Sequence, residues 1–219
     1  MLPSHCAHQS PWPALILAST SAYRRELLAR LRMPFVAVSP GVDETVHPGE
    51  TPLALSLRLA QEKAHAVALR QAGDVVVIGS DQVADLDGQA LGKPGGHAQA
   101  VAQWRLMRGR ALVFHTAVCV MRPQLGFEAC LSVPVKVRCR DLPDAHIEAY
   151  LRLEAPYDCA GSAKCETLGI ALLDEIESTD PTALVGLPLI ATSRLLREAG
   201  ADPLAWAAEY LLSLETPDA

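Results

Sequence analysis

Two short apolar runs limit what this chain can fold into. Residues 15–18 read LILA and residues 75–78 read VVVI, without a polar residue in either run. Strands that read as continuous apolar runs are buried on both faces, as in parallel sheets covered by helices. After the first run, Leu27 and Leu28 begin an apolar pattern at helical spacing. The sequence therefore predicts an α/β fold.

The remaining elements are predicted from capping residues, turn residues and hydrophobic periodicity. Thr51 and Pro52 are a typical helix N-cap and first helical residue, and Asp87-Gly88 is a typical two-residue hairpin turn. The other predicted strands are 35–39, 83–86, 90–91, 111–121, 128–138 and 169–173, and the helices after the Thr51 helix are 97–107, 144–153, 187–199 and 204–214.

Composition favours a soluble globular protein. The chain has 219 residues, of which 50% are hydrophobic and 20% charged, and this length suggests one domain or two closely joined lobes. We predict a flexible N-terminal extension at 1–13, a main domain at 14–203, and a C-terminal helix and tail at 204–219. The net charge of -6 argues against nucleic acid as a general partner. The longest apolar-rich segment, 111–121, is too short to span a membrane.

Cysteine usage predicts a cytoplasmic protein. The six cysteines form no Cys-x-x-Cys pair and no regular framework. A chain without a disulfide framework or a signal-peptide pattern is typical of a reducing compartment. We therefore expect all of the cysteines to be free thiols.

The polar turn after the first strand is a candidate anion site. Ser19 and Ser21 can cap the following helix, whose N-terminus offers free N–H groups and partial positive charge. Arg24 and Arg25 fall in the first helical turn, where the helix dipole disfavours cations, so a bound phosphate would explain them. The alternative is an ordinary cap followed by a solvated arginine pair.

Asp81 is a candidate metal ligand or general base. It follows the run at 75–78, and open α/β sheets usually bind ligands beyond the carboxyl ends of their strands. The alternative is a turn or capping aspartate. Glu44 lies in a loop after the second predicted strand, and Lys93 follows a hairpin that returns toward Asp81. Carboxylates and cations together suit hydrolysis of a phosphate ester or anhydride. The full candidate set is Ser19, Arg24, Glu44, Lys63, Asp81, Lys93 and Glu166.

Seven sequence blocks, in order, resemble the Maf family of nucleoside triphosphate pyrophosphatases. The blocks are LASTSAYRR at 17–25, VDET at 42–45, LAQEKA at 59–64, IGSDQ at 78–82, GKP at 92–94, CAGS at 159–162 and VGLPL at 185–189. The resemblance extends from residue 15 to about residue 203. It implies an elongated mixed β-sheet flanked by helices, with two lobes and a cleft between them, and a possible homodimer.

The resemblance also implies roles for individual residues. Asp81 would be the proton acceptor that activates water, and Ser19, Arg24 and Lys93 would contact the phosphates. Glu44 and Lys63 would complete the charged cleft. Glu44 and Asp81 would bind a divalent cation, Mg²⁺ or Mn²⁺, although a metal-bound carboxylate is not also a free base. Water would attack the α-phosphorus and release pyrophosphate.

Three positions are expected to select the base: Tyr23, Gln82 and Glu166. Gln82 and Glu166 match the family branch that acts on 7-methyl-GTP, whereas Tyr23 stands where that branch commonly has tryptophan. A cationic methylated guanine could stack on Tyr23 and pair with Glu166. The alternatives are the same reaction on dTTP, UTP or another modified nucleotide, and a nucleotide-binding regulator of septum formation.

Overall fold

The computed structural model describes residues 12–215. Its strands are β1 (Ala14–Ala18), β2 (Phe35–Val38), β3 (Val75–Leu86), β4 (Gln89–Leu91), β5 (Ala111–Arg122), β6 (Phe127–Cys139) and β7 (Leu173–Ser178). Its α-helices are α1 (Ala22–Ala29), α2 (Pro52–Ala68), α3 (His97–Met107), α4 (Asp144–Glu154), α5 (Leu189–Glu198) and α6 (Pro203–Glu215). Most of the predicted elements are confirmed. Residues 1–11 of the predicted N-terminal extension lie outside the described range.

The strands form one mixed sheet in the order β2-β1-β3-β5-β6-β7, with β4 paired to β3. β1 runs parallel to both β2 and β3, and the other pairs are antiparallel. Helices cover both faces: α2 packs on one face, and α1, α3, α4 and α5 contribute to the core on the other. The predicted α/β class is therefore confirmed. Among residues 12–215, no helix is long and apolar enough to cross a membrane.

Asp81 lies inside a strand, so its predicted place on a loop beyond a strand end was wrong. β3 continues through Asp81 because β5 pairs with it along one edge, with Asp81 opposite Ala117. On the other edge, β1 ends where Ala18 pairs with Gly79, and β4, which runs antiparallel, ends where Leu91 pairs with Ala84. In the described structure, β3 has no strand neighbour between these points, which leaves that edge open beside Asp81.

A close approach between α2 and β3 requires glycine at position 79. A Cβ atom at Gly79 would lie 2.6 Å from the backbone nitrogen of Ala64 and 3.0 Å from its Cβ. Any larger residue would push α2 away from the sheet, since packed interiors have little room for added atoms. Gly79 therefore sets the distance between β3 and the helix that carries Lys63.

The strand predicted at 169–173 was wrong. Leu168–Leu172 is a 3-10 helix, and the strand β7 follows it at Leu173–Ser178. β7 is an exposed edge strand rich in carboxylates, so it lacks the hydrophobic alternation by which strands are recognised. Its Glu175 pairs with Arg138 of β6 at 2.9 Å, an opposite-charge pair of the kind that stabilises neighbouring strands.

The prediction that all of the cysteines are free thiols was also wrong. Cys119 of β5 and Cys130 of β6 are register partners and form a disulfide. Their separation along the chain, 11 residues, is set by the β5–β6 hairpin and matches no recognisable cysteine pattern. Cys139, Cys159 and Cys165 are free.

Candidate active site

All the side chains predicted to form the site line one cleft of about 710 Å³. The open edge of β3 contributes Asp81 and Gln82, and the other residues come from five different parts of the chain. These are the β1–α1 turn, the loop before α2, α2 itself, and the segments after β4 and α4. The lining residues from the predicted set are Ser19, Tyr23, Arg24, Glu44, Lys63, Asp81, Gln82, Lys93 and Glu166.

Capping hydrogen bonds shape the turn between β1 and α1. Ser21 is the N-cap of α1, and its Oγ accepts from the backbone N–H of Arg24 at 3.4 Å. The buried Ser19 Oγ accepts from the backbone N–H of Ser21 at 3.1 Å. The turn thus places a helix N-terminus beside the cleft, where the helix dipole favours an anion.

Lys63 holds two carboxylates together at the open edge of β3. Its Nζ lies 2.7 Å from Asp81 Oδ1 and 2.5 Å from Glu44 Oε1. Lys63 and Asp81 are buried, whereas the Glu44 side chain is 49% exposed. Burial tends to raise the pKa of Glu44, but the hydrogen bond and charge of Lys63 outweigh it, so this pKa is lowered. Glu44 is therefore an ionised carboxylate facing the cleft.

The loop that carries Glu44 is anchored to α2 by an arginine. Arg58 donates from Nε to Glu50 Oε1 at 2.6 Å and from Nη2 to Glu50 Oε2 at 2.8 Å. The same Nη2 donates to the carbonyl oxygen of Thr45 at 3.0 Å. A bidentate pair fixes orientation as well as distance, so Arg58 holds the residue next to Glu44 in place. These hydrogen bonds lower the pKa of Glu50 to about 2.

Arg24 is positioned by a backbone carbonyl far along the chain. Its Nε donates to Gly186 O at 2.9 Å, and the hydroxyl of Ser80 donates to the same oxygen at 3.2 Å. Burial lowers the pKa of Arg24, and the charges of Asp81 and Glu44 partly oppose this effect. The guanidinium group and both carboxylates line the same cleft. Sequence reasoning placed Gly186 in a family block but did not identify its carbonyl as the anchor.

The amide of Gln82 is held in one orientation. Its Nε2 lies 2.9 Å from Thr116 Oγ1 and 3.0 Å from the carbonyl oxygens of Ala183 and Leu184. Because the Thr116 hydroxyl itself donates to Ala183 O, the Gln82 nitrogen must be the donor, with its two N–H groups shared among the three oxygens. The Oε1 of Gln82 is then the group that can accept a hydrogen bond from a ligand. Sequence reasoning missed Thr116, which lies in a strand without any motif.

Tyr23 and Glu166 form a second, less charged part of the cleft. The Cys159 thiol lies 3.8 Å from the Tyr23 hydroxyl. Burial raises the pKa of Tyr23, with smaller contributions from Cys159, Asp158 and Glu166. Glu166 is exposed and contacts the Cys165 thiol at 3.6 Å. An aromatic ring and a carboxylate therefore lie in the same cleft.

The family model described as Maf-like protein matches residues 14–199. The chain belongs to the Maf family. A 7-methyl-GTP pyrophosphatase of Albidiferax ferrireducens is 62% identical over 85% of this chain and 93% of that protein. A second, from Thiobacillus denitrificans, is 56% identical over 90% of this chain and 97% of that protein.

Among solved structures, the crystal structure of the nucleoside-triphosphatase / dITP/XTP pyrophosphatase of Mycobacterium abscessus aligns with this Maf protein. The TM-score is 0.39 at 16% identity, over 86% of this chain and 97% of that chain.

The acidic residues of this Maf protein fit a divalent cation. Lys63 engages one oxygen of Glu44 and one of Asp81, so each carboxylate keeps a second oxygen for a metal. Mg²⁺ is usually bound by one or two carboxylates, with substrate phosphates and water completing the coordination. Glu44 and Asp81 match that pattern. Lys93, which is exposed on the cleft lining, adds a positive charge to the cleft.

Proposed function

We propose that this protein hydrolyses 7-methyl-GTP to 7-methyl-GMP and pyrophosphate. The observation that carries the proposal is the cleft itself, where the Glu44–Lys63–Asp81 cluster and the Tyr23–Glu166 pair line one cavity. The first group suits a polyphosphate that carries a divalent cation, and the second suits a cationic purine. The names of the two relatives, both 7-methyl-GTP pyrophosphatases, support the same reaction.

The triphosphate would lie against the turn before α1. Ser19 and the N-terminus of α1 offer hydrogen-bond donors and partial positive charge, while Arg24 and Lys93 supply full charges. These groups would neutralise an anion that otherwise repels an attacking water molecule. Since Arg24 is tied to Gly186 at 2.9 Å, its guanidinium is oriented before the substrate arrives.

Asp81 would accept the proton of the attacking water. Its carboxylate is buried at the open edge of β3 and held by Lys63, so one oxygen keeps a fixed direction. General bases act within hydrogen-bond reach of the proton that they remove. Water would attack the α-phosphorus, the bond to the bridging oxygen would break, and pyrophosphate would leave.

Glu44, with Asp81 as a second ligand, would hold Mg²⁺ or Mn²⁺. When bound, such a cation would offset the negative charge that develops on the phosphate oxygens. Glu44 suits this role because it is half-exposed and fixed by Lys63 on one oxygen only. Assigning metal binding mainly to Glu44 leaves Asp81 available for the proton.

The methylated base would stack on Tyr23 and pair with Glu166. Methylation at N7 gives guanine a positive charge, and a cation over an aromatic face is attracted by the ring. Glu166 would accept hydrogen bonds from the guanine N1–H and amino group and would balance the ring charge. Gln82 Oε1 offers one further acceptor, since its amide nitrogen is committed to Thr116 and two carbonyl groups.

The protein is proposed to act in the cytoplasm as an enzyme on free nucleotides, with a homodimer as its assembly.

A turnover comparison tests the substrate directly: purified protein is given 7-methyl-GTP, GTP, UTP and dTTP, each with Mg²⁺, with Mn²⁺ and with a chelator, and pyrophosphate release is measured. We expect 7-methyl-GTP to have the highest kcat/KM and the chelator to stop turnover. Preference for UTP or dTTP would contradict the proposed substrate. Absence of turnover on every nucleotide would contradict the proposed reaction.

A further inference from the structure

A second group of metal-ligating side chains lies between β5, β6 and α2, outside the lining of the cleft. Cys119 and Cys130 are register partners, and Glu128 precedes Cys130 by two residues, so both β6 side chains project from the same face. The two sulfur atoms and a carboxylate oxygen of Glu128 lie within 4.8 Å of one another. In the described residues, these three side chains form the one such group of histidine, cysteine and acidic ligands.

Two residues of α2 hold the Glu128 carboxylate in place. Gln61 Nε2 donates to Glu128 Oε1 at 2.6 Å, and His65 Nε2 lies 3.1 Å from the same oxygen. Both contacts engage the same Glu128 oxygen, so the second oxygen remains available to a metal ion. Outer groups that orient a ligand in this way are characteristic of metal sites.

We propose that Cys119, Cys130 and Glu128 bind Zn²⁺ when their disulfide is reduced. Thiolate and carboxylate ligands are typical of Zn²⁺, which takes four ligands and often keeps one position for water. Cys130 and Glu128 are exposed, so an ion can reach the site from solvent. Cys119 is buried and would supply the ligand on the protein side of the ion.

The disulfide and the metal exclude each other. A dithiol reductant supplies two electrons and two protons to the Cys119–Cys130 bond and becomes a disulfide itself. The two thiols then lose their protons to solvent as Zn²⁺ binds, because only thiolates are metal ligands. This site is independent of the proposed hydrolysis, since none of its ligands lines the cleft.

Metal titration of the whole protein tests the proposal. Protein reduced with a phosphine is titrated with Zn²⁺ by calorimetry and with Co²⁺, whose bonds to thiolates give a charge-transfer absorption band. We expect one ion per chain, the band in reduced protein, and neither in protein oxidised with diamide. Gln61→Ala and His65→Ala, which free the Glu128 carboxylate, are each expected to weaken Zn²⁺ affinity about 10–100-fold.

Variants separate this site from other thiols and from the cleft. Cys130→Ser and Glu128→Gln, both at exposed positions, should lose or strongly weaken the cobalt band while keeping the wild-type circular dichroism spectrum. The matched controls Cys165→Ala and Asp81→Asn should retain the band. A band that survives in Cys130→Ser, or one that disappears in Cys165→Ala, would overturn the proposal, as would reduced wild-type protein that binds no ion.

Discussion

Lys63 Nζ lies 2.7 Å from Asp81 Oδ1, and the two residues are only 4% and 7% exposed. This contact connects α2 to the open edge of β3, at a distance that Gly79 permits. A buried ion pair requires both partners, because a lone buried charge is costly. Lys63 therefore supports the fold and at the same time holds the carboxylate proposed to accept a proton.

Replacing Lys63 by methionine should destabilise the protein by about 3–5 kcal/mol, since Asp81 would stay buried without its partner. Urea unfolding measures the change. The double variant Lys63→Met/Asp81→Asn should recover part of the loss, because the unpaired charge is then removed. The matched control is Lys136→Met: its pair with Glu177 spans 3.6 Å and is exposed, so the cost should stay below about 1 kcal/mol. Equal losses in both single variants would contradict the buried-pair argument.

Asp81→Asn should lower kcat by about 10²–10⁴-fold, the range for loss of a general base. The expected fold is unchanged, since asparagine has nearly the same shape and Lys63 keeps Glu44 as a charged partner at 2.5 Å. Pyrophosphate release measures the loss. Asp85→Asn is the matched control on the same strand, because Asp85 pairs with His115 at 3.1 Å and does not line the cleft. Asp81→Asn protein with more than a tenth of wild-type activity would rule out this role.

Glu166→Gln should change substrate preference more than overall activity. Removing the charge opposite a cationic base is expected to lower kcat/KM for 7-methyl-GTP about tenfold more than for GTP, which corresponds to about 1.4 kcal/mol. Steady-state kinetics on both nucleotides give this ratio. Glu175→Gln, on the exposed edge strand β7, should leave it unchanged. Equal losses on both nucleotides would mean that Glu166 does not recognise the methylated ring.

The Glu50–Arg58 pair should stabilise the protein in a defined pH range. Arg58 lowers the pKa of Glu50 from its usual 4.5 to about 2. A carboxylate whose pKa is lowered in the folded state stabilises that state. Its full contribution is present above pH 4.5 and is lost as the pH falls through about 2. The difference in stability between wild type and Glu50→Gln should therefore shrink over this interval, as measured by urea unfolding at successive pH values.

Glu26→Gln is the matched control for this pH dependence, since the Arg30–Glu26 pair spans 3.5 Å and is exposed. Its difference from wild type should be small, because an exposed ion pair contributes little stability. A Glu50→Gln difference that stayed constant down to pH 2 would show that Glu50 has no lowered pKa in the folded state.

Local sequence signals predicted much of this fold. The Thr51 cap and the Asp87-Gly88 turn are both present: Thr51 Oγ1 accepts from the backbone N–H of Ala54, and both turn residues have positive φ, as a type I′ hairpin requires. Helix α3 has the predicted bounds. These features depend on neighbouring residues, so a single sequence carries the information for them.

Features that depend on distant partners could not be predicted in this way. The course of β3 through Asp81 depends on pairing with β5, and β7 depends on β6 rather than on hydrophobic residues of its own. The Cys119–Cys130 pair likewise follows from strand register. The family blocks predicted which residues meet in the cleft, whereas the anchoring of Gln82 by Thr116 comes from a strand that carries no motif.

The central claim is that water attacks the α-phosphorus of 7-methyl-GTP in this cleft. Hydrolysis in water labelled with heavy oxygen, followed by mass spectrometry of both products, tests it most directly. We predict that the label enters 7-methyl-GMP, that pyrophosphate stays unlabelled, and that Asp81→Asn slows both products equally. Label in pyrophosphate, or release of orthophosphate instead, would contradict the account.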